Sequence, residues 1–305
     1  MKKELNTYIV EGGIGKNTAF TALVSKLRKK DNNSIQIYTP YVDIFAYNPD
    51  VKMAFDSTSI PLQDSRIMES DNIFYCEPYK SNFQFGKQHI IESYCNLLGI
   101  DFESKMKPEL YTSHLESRAK DWLIRNNIIG KYLLVQFTGG QSPVGWNINN
   151  QYTNINPGRI YPQFLAQQVI NKLKQSDPGL TIIDCSLPNE PGYMNTIKCT
   201  EHWTIIHELL KNSQGFIAVD SCLNHFSAST KTVGVVIWGS TRWTQFGYSH
   251  NINLHYHMKD KWDESKYIEN DPRNVMVDPD IIIKSYKERN KLNKNQTKEV
   301  YCQIK

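Results

Sequence analysis

The 305-residue chain is long enough for two domains of ordinary size. A hydrophobic share of 40% and a charged share of 22% describe a soluble globular protein, and no run of about 18 apolar residues is there to span a membrane. The net charge of +4 is mild, and its excess gathers late, in Lys284, Lys287, Arg289, Lys291, Lys294, Lys298 and Lys305. Such a basic tail reads as a solvated helix end and leaves contact with anionic lipid or nucleic acid open. The six cysteines (76, 95, 185, 199, 222 and 302) show no CxxC or Cys/His metal spacing. They read as reduced, buried thiols of a cytoplasmic protein, and the opening Met1-Lys2-Lys3-Glu4 shows no apolar leader.

In chain order, strands alternate with helices. Thr7–Val10 is a short apolar strand, and Glu11-Gly12-Gly13-Ile14-Gly15-Lys16-Asn17 is a glycine-rich turn. Thr18–Lys30 is a helix with Phe20, Leu23, Val24 and Leu27 on one face, and Ser34–Tyr38 is a second strand. This βαβ opening predicts a parallel sheet. Asn48-Pro49-Asp50 is a turn, Asn72–Cys76 is a strand stopped by Glu77-Pro78, and His89–Leu98 and Ser113–Arg125 are helical. Asn126 to Gly130 divides the chain into residues 1–127 and 128–305. The pattern then restarts with strand Lys131–Phe137, ended by Thr138-Gly139-Gly140-Gln141, and a long Asn/Gly/Pro loop to Gly158. Helix Pro162–Lys174, strand Thr181–Cys185 and helix Trp203–Leu210 follow, and Asn251–His255 and a helix over 278–291 close the chain.

The densest chemistry lies between Gly215 and Arg242. Phe216–Val219 is a continuous apolar run, as in a parallel strand covered on both faces. Asp220 ends it, and Ser221 and Asn224 open a helix whose apolar face is Leu223, Phe226 and Ala228. Val233–Trp238 is a second buried run that stops at Gly239-Ser240. The Asp220-Ser221 turn therefore lies at the carboxyl end of a parallel strand, where open α/β sheets bind ligands. A helix N-terminus there offers N–H groups and a positive dipole end to a phosphate. Ordinary capping by Asp220 and Ser221, with His225 packed inside, is the plainer reading of the same residues.

The turn at Glu11–Asn17 invites comparison with a phosphate-binding P-loop. Val10 stands where that loop needs its first glycine, and Asn17 where it needs a Ser or Thr hydroxyl for Mg²⁺. A Mg²⁺-dependent ATPase built on this turn is the rival enzyme class.

With these pieces in order, the chain resembles the ADP-heptose:lipopolysaccharide heptosyltransferase family of glycosyltransferases. Gly13-Ile14-Gly15-Lys16, with Thr21-Ala22 in the helix, looks like the family's first glycine-rich turn. Thr138-Gly139-Gly140-Gln141 looks like its donor-phosphate loop, and Arg159-Ile160-Tyr161-Pro162 like its basic residue before an aromatic-Pro pair. Glu190 looks like its glutamate after the next strand. Asp220-Ser221-Cys222-Leu223-Asn224-His225 looks like its Asp-Ser/Thr-Gly-x-x-His signature, and Trp238-Gly239-Ser240-Thr241-Arg242 like its strand ending in Gly-Pro-Thr. The resemblance covers most of the chain and is strongest after residue 130. Two departures stand out: Cys222 replaces a usual glycine, and Lys16 stands where the family has the aspartate assigned as base.

The resemblance implies an α/β protein of GT-B fold, two Rossmann-like domains facing across a cleft. Residues 1–127 would bind the acceptor and 128–305 the nucleotide-sugar, with the last helix packing back on the first domain. The expected reaction is inverting sugar transfer to a hydroxyl of a glycan or lipopolysaccharide, or, from the basic tail and Lys16, of a modified nucleobase; with no DxD or His-rich metal site in the sequence, it is expected to be metal-independent. It needs no cofactor beyond the co-substrate, and a monomer is expected. Without a metal, the departing diphosphate needs N–H groups, a helix dipole and a cation. Thr138, Gly139, Gly140, Gln141, the helix after Asp220, and Arg159 with its two-pronged guanidinium supply these. Glu190 suits the ribose hydroxyls, Glu201, His202 and Trp203 the nucleobase, and Asp220, Ser221 and His225 the donor sugar or phosphate. Gly12, Gly13, Gly15 and Asn17 would meet the acceptor. For the catalytic group, Glu11 and Asp43 are the available carboxylates, while Lys16 suits a phosphate or an anionic acceptor. The lost aspartate also fits a non-catalytic nucleotide-sugar-binding protein.

Overall fold

The computed structural model describes residues 4–31, 33–79, 83, 86, 88–139, 157–190, 192–256 and 272–294. The chain divides into two compact units, Met1–His114 and Leu115–Lys305.

In the first unit, β1 (Leu5–Ile9) turns tightly into α1 (Ile14–Asp31). Then come β2 (Ser34–Thr39), a 3₁₀ turn at Val42–Ile44, β3 (Val51–Asp56), the one-turn α2 (Ser65–Met68), β4 (Asn72–Tyr75) and α3 (Ile90–Leu98). The strands are all parallel, in the order β3-β2-β1-β4. On α1, Ala19, Phe20, Leu23, Val24 and Leu27 recur at helical spacing and are buried, while Arg28, Lys29 and Lys30 sit at its negative dipole end. Phe20 meets Tyr94 of α3 edge-on at 5.1 Å between ring centroids, and Tyr8 of β1 stacks on Phe74 of β4 at 5.0 Å. Three features differ from the sequence expectation, one of them the short α2. Helix α1 starts at Ile14 rather than Thr18, so Gly15, Lys16 and Asn17 belong to the helix, not the turn. Strand β3 was not expected; it lies at the sheet edge with Lys52 and Met53 exposed, which leaves little apolar pattern to read.

The second unit opens with α4 (Glu116–Arg125), which packs on α6 (Trp203–Lys211). That packing moves the division between units ahead of the break expected at Asn126–Gly130. The sheet is formed by β5 (Tyr132–Gln136), β6 (Thr181–Asp184), β7 (Ile197–Lys198), β8 (Phe216–Val219), β9 (Gly234–Ile237) and β10 (Ile252–Leu254). All are parallel, in the order β10-β9-β8-β5-β6-β7. The remaining helices are α5 (Gln163–Ser176), α7 (Cys222–Thr230), α8 (Trp243–Phe246) and α9 (Pro279–Lys294).

Alternation along a strand assigns the two faces of this sheet. Leu133, Val135 and Phe137 pack with Ala166, Val169 and Ile170 of α5 and Ile282 and Ile283 of α9. From the opposite face, Tyr132 donates its hydroxyl to Leu209 O on α6 (2.9 Å), and Gln136 Oε1 accepts from Cys222 Sγ on α7 (3.8 Å). Each fully buried aliphatic side chain contributes ~1.5–3 kcal/mol, so these two layers hold the sheet ends in place. Helix α9, expected to pack back on the first unit, buries Ile282, Ile283 and Tyr286 in this core, and Arg289 Nε donates to Gln214 O (2.9 Å). Cys76, Cys95, Cys185, Cys199 and Cys222 all carry free thiols. Among the described residues, no helix is long and apolar enough to cross a membrane.

Candidate functional site

From β5 the second unit's chain runs outward through β6 and β7, then returns to the other side of β5 with β8, β9 and β10. The order reverses between β5 and β8. Loops leaving two such strands diverge at their carboxyl ends and open a crevice. Thr138 and Gly139 follow β5, Asp220 and Ser221 follow β8, and Gly239 to Thr241 follow β9, so three of the sequence motifs converge there.

Backbone bonds tie these loops to the segment around Arg159. Gly139 N donates to Arg159 O (2.7 Å), Tyr161 N to Phe137 O (2.8 Å), and Ser240 N to Gly158 O (2.9 Å). The approach is so close that a Cβ on Gly139 would lie 2.7 Å from Asp220 O and 2.9 Å from Arg159 Nε. Arg159 is thereby held beside Asp220. Its second terminal nitrogen, Nη2, donates to Asp220 O (2.8 Å), and its Nε lies 3.4 Å from Asp220 Oδ2 without making a hydrogen bond. Asp220 is 4% exposed, and its carboxylate accepts from Thr241 Oγ1 at 2.6 Å.

Ser221 enters α7 in an extended conformation as its N-cap, yet its Oγ makes no capping bond and is buried without a hydrogen-bond partner among the described residues. Ser240 Oγ is likewise buried without a hydrogen-bond partner among the described residues. Buried polar atoms are nearly always paired, so unspent donors point to a ligand. Here the Ser221 hydroxyl stands at the N-terminus of a helix whose first N–H groups have no helical acceptor, with Arg159 Nε beside Asp220 and the Ser240 hydroxyl next to Thr241, which bonds Asp220. That set suits an anion with several oxygens. Glu190 joins the group: its Oε2 accepts from Thr138 Oγ1 (2.6 Å) and Leu187 N (3.0 Å), fastening the loop after β6 to the end of β5. Gly140 and Gln141 lie outside the described residues. Thr241, which holds Asp220, was missed as a site residue, although it stands in the motif that ends the next strand. At Cys222, desolvation pushes the thiol up to about 12, so it remains protonated despite the helix N-terminus.

His225 is buried, with Nδ1 3.0 Å from Tyr248 OH. Burial pushes its pKa down to about 4, opposed by Asp220 and reinforced by Arg159; burial pushes His207 of α6 down to about 4 as well. Both imidazoles are neutral near pH 7. The unfolded chain protonates these groups below about 6.5, while the folded chain does so only near 4, so stability falls as pH drops through that window and is unaffected above it. The loss is expected to reach on the order of 3 kcal/mol per histidine at the bottom of the window. Urea midpoints should fall between pH 7 and pH 5, and a flat profile there would contradict the burial of both rings.

Three residues expected to line the nucleobase have contacts of their own in this unit. Glu201 pairs with Arg125 at 3.8 Å in a recess lined also by Arg118 and Asp121. His202 is the N-cap residue of α6, with Nδ1 3.0 Å from Thr204 Oγ1, and Trp203 packs on Phe226 with ring centroids 5.6 Å apart.

The first sheet has its own reversal, between β1 and β4. Glu11 follows β1 and accepts from the hydroxyl of Tyr75 at the end of β4. Gly12 has φ +93°, and the stem of Lys16 folds over it; a Cβ there would meet Lys16 Cδ at 2.8 Å. Asn17 is fully buried and closes the turn: its Nδ2 donates to Gly12 O (3.3 Å) and Gly13 O (3.2 Å), and its Oδ1 accepts from Thr39 Oγ1 (2.6 Å). Asn17 thus braces the turn from inside, with its amide already used, which does not favour a P-loop Mg²⁺ ligand. Lys16 Nζ pairs with Glu77 Oε2 at 2.8 Å, and Asp43 is exposed in the 3₁₀ turn after β2. Glu77 is a residue the sequence reading treated only as a strand stop.

No family model and no curated protein matches the chain. Solved structures do. The chain is similar to a family 9 glycosyl transferase from Veillonella parvula, at TM-score 0.67 and 13% identity over 97% of this chain and 99% of that one. It is similar to ADP-heptose LPS heptosyltransferase II of E. coli, at TM-score 0.62 and 10% identity over 95% and 99% of the two chains. A third likeness is to the iron-containing dodecameric glycosyltransferase TibC of enterotoxigenic E. coli, at TM-score 0.60 and 15% identity over 97% and 77%. With two parallel α/β units and these neighbours, the chain has the GT-B fold, built from two Rossmann-like units.

Proposed function

We propose that this chain is a glycosyltransferase of the heptosyltransferase-like kind. The second unit binds a nucleotide-sugar and the first binds an acceptor bearing a hydroxyl. The observation that carries this reading is a set of buried donors without hydrogen-bond partners among the described residues: Ser221 Oγ at the N-terminus of α7, Arg159 Nε beside Asp220, and Ser240 Oγ on the loop after β9. Phosphate oxygens of a nucleoside diphosphate would accept from all of them. In transfer, the acceptor oxygen bonds to the anomeric carbon as the bond to the diphosphate breaks, and the electron pair leaves on the diphosphate. Arg159 and the helix N-terminus stabilise that charge as it develops, the work a metal ion does in other transferases. Direct displacement of this kind inverts the anomeric centre. Glu190 has oxygen capacity left for ribose hydroxyls beside its bonds to Thr138 and Leu187. The acceptor is a glycan hydroxyl; the E. coli neighbour's name places lipopolysaccharide in that class.

The test is nucleoside diphosphate release from a panel of ADP-, GDP-, UDP-, CDP- and dTDP-sugars, with glycan acceptors, in the presence and absence of EDTA. Release from one donor, accelerated by acceptor and indifferent to EDTA, with an inverted anomeric signal in the product, is expected. Loss of turnover in EDTA would overturn metal independence. Consumption of ATP with Mg²⁺, and of no sugar nucleotide, would overturn the transferase reading.

A further inference from the structure

Two exposed isoleucines of the second unit stand at the same end of α4. Along that helix Ala119 and Trp122 turn inward and are buried, while Arg118, Asp121 and Arg125 recur at i, i+3 and i+7 on the outer face, with Ile124 among them. Ile124 is 70% exposed. Past the helix end Asn127 takes a left-handed φ of +54°. Its N–H donates to Ile124 O (3.0 Å), and Ile128 N donates to Leu123 O (2.9 Å). The turn so closed folds back on the end of α4, buries Ile128 and leaves Ile129 93% exposed. Apolar side chains this open are hydrated at a cost that a covering surface removes. The charges around them indicate what that surface is. Arg118, Asp121, Ile124, Arg125 and Glu201 line one recess, with two charges of each sign, and Arg125 and Glu201 lie 3.8 Å apart. A partner selected by charge would favour one sign, whereas this patch is complementary to itself. Asp121 and Arg125 stand two residues to either side of Leu123. Crossing α4 antiparallel with a second copy, about a two-fold axis at Leu123, sets each Asp121 opposite the other copy's Arg125 and brings the two Ile124 side chains together beside the axis.

We infer that the outer face of α4 and the Ile129 turn form the interface of a two-fold dimer, in which a second copy of this chain covers Ile124 and Ile129. The dimer takes the place of the monomer that the sequence suggests, and it stands independently of the sugar-transfer reading. One short helix and one turn make a small interface, under about 1,200 Å² in total, so the association is reversible at roughly micromolar concentration.

The test is sedimentation velocity of the full chain, which should pass from monomer to dimer between about 1 and 300 µM. Asp121→Arg and Arg125→Asp each set like charges opposite one another at both symmetric pairs, and each should weaken the dimer at least about tenfold. The variant carrying both substitutions regains opposite charges by symmetry and should return to within about threefold of the parent chain, a rescue that damage to the fold would not allow. Ile124→Asp should keep the chain monomeric. Melting temperatures of all four variants should match the parent, since these side chains face solvent in the single chain. A parent chain that stays monomeric at every concentration overturns the inference, even where Ile124 recruits an unrelated protein. So does a dimer that survives Ile124→Asp, and so does a double charge exchange that fails to restore association.

Discussion

Arg159→Ala is expected to weaken nucleoside diphosphate binding by about a hundredfold or more, the largest functional loss from any single side chain of the second unit. The side chain is held by its own backbone: Gly139 N bonds to Arg159 O, so the guanidinium is positioned before any ligand arrives. One terminal nitrogen is committed to Asp220 O, while Nε has no hydrogen-bond partner. A charge-assisted bond from such a preset donor to phosphate is worth roughly 2–5 kcal/mol. Truncation does further harm, because it removes the cation beside the buried Asp220 carboxylate, which then faces the diphosphate with its charge unbalanced and Thr241 as its hydrogen-bond donor. Lysine should not rescue, since an ammonium cannot hold Asp220 O and a phosphate in one fork. Asp220→Asn keeps the Thr241 contact and is expected to cost less, about tenfold. Calorimetric titration of the product nucleotide decides this, and unchanged affinity in Arg159→Ala would refute the site.

Gly239→Ala is expected to cost the second unit at least ~3 kcal/mol, which lowers its melting temperature by about 6–12 °C. An added Cβ would sit 1.6 Å from Gly158 O and 2.4 Å from Val275 Cγ1. The first clash is with backbone, so no rotamer change relieves it. Gly158 and Gly239 are pressed together because Ser240 N bonds to Gly158 O, the contact that seats the Arg159 segment on the sheet. The same substitution should therefore abolish nucleotide binding as well as stability. Gly13→Ala serves as the comparison, since its Cβ would meet nothing within 4 Å. Calorimetric melting in which Gly239→Ala stays within about 2 °C of the parent would show that this approach is not tight.

Much of the second unit was legible because its signals are local. Phe216–Val219 and the 131–137 run are solid apolar stretches ended by polar turns, as strands buried on both faces must be. Asp220, Thr138 and Arg159 could be read as one site because every parallel strand delivers its following loop to the same end of the sheet. What failed needed information from outside the local window. Glu77 before a proline reads as a stop signal, and only the pairing of β4 with β1 brings it to Lys16. Glu201 and His202 sit beside a helix start, and their contacts with Arg125 and Thr204 depend on side-chain placement that the local sequence does not show. Strand β3 hides its single buried residue, Phe55, in a half-exposed edge, and β7 has only two residues. Asn17 gave no sign that its amide would close back on Gly12 and Gly13 and start the helix four residues early.

Amide hydrogen exchange with and without a saturating nucleoside diphosphate, chosen as the tightest binder among ADP, GDP, UDP, CDP and dTDP, tests the central claim most directly. The site described here predicts slowed exchange at Gly139, at Ser221 to Asn224, and at Ser240 and Thr241, without added metal. Protection confined to Gly12–Asn17, and obtained only with ATP and Mg²⁺, would contradict it.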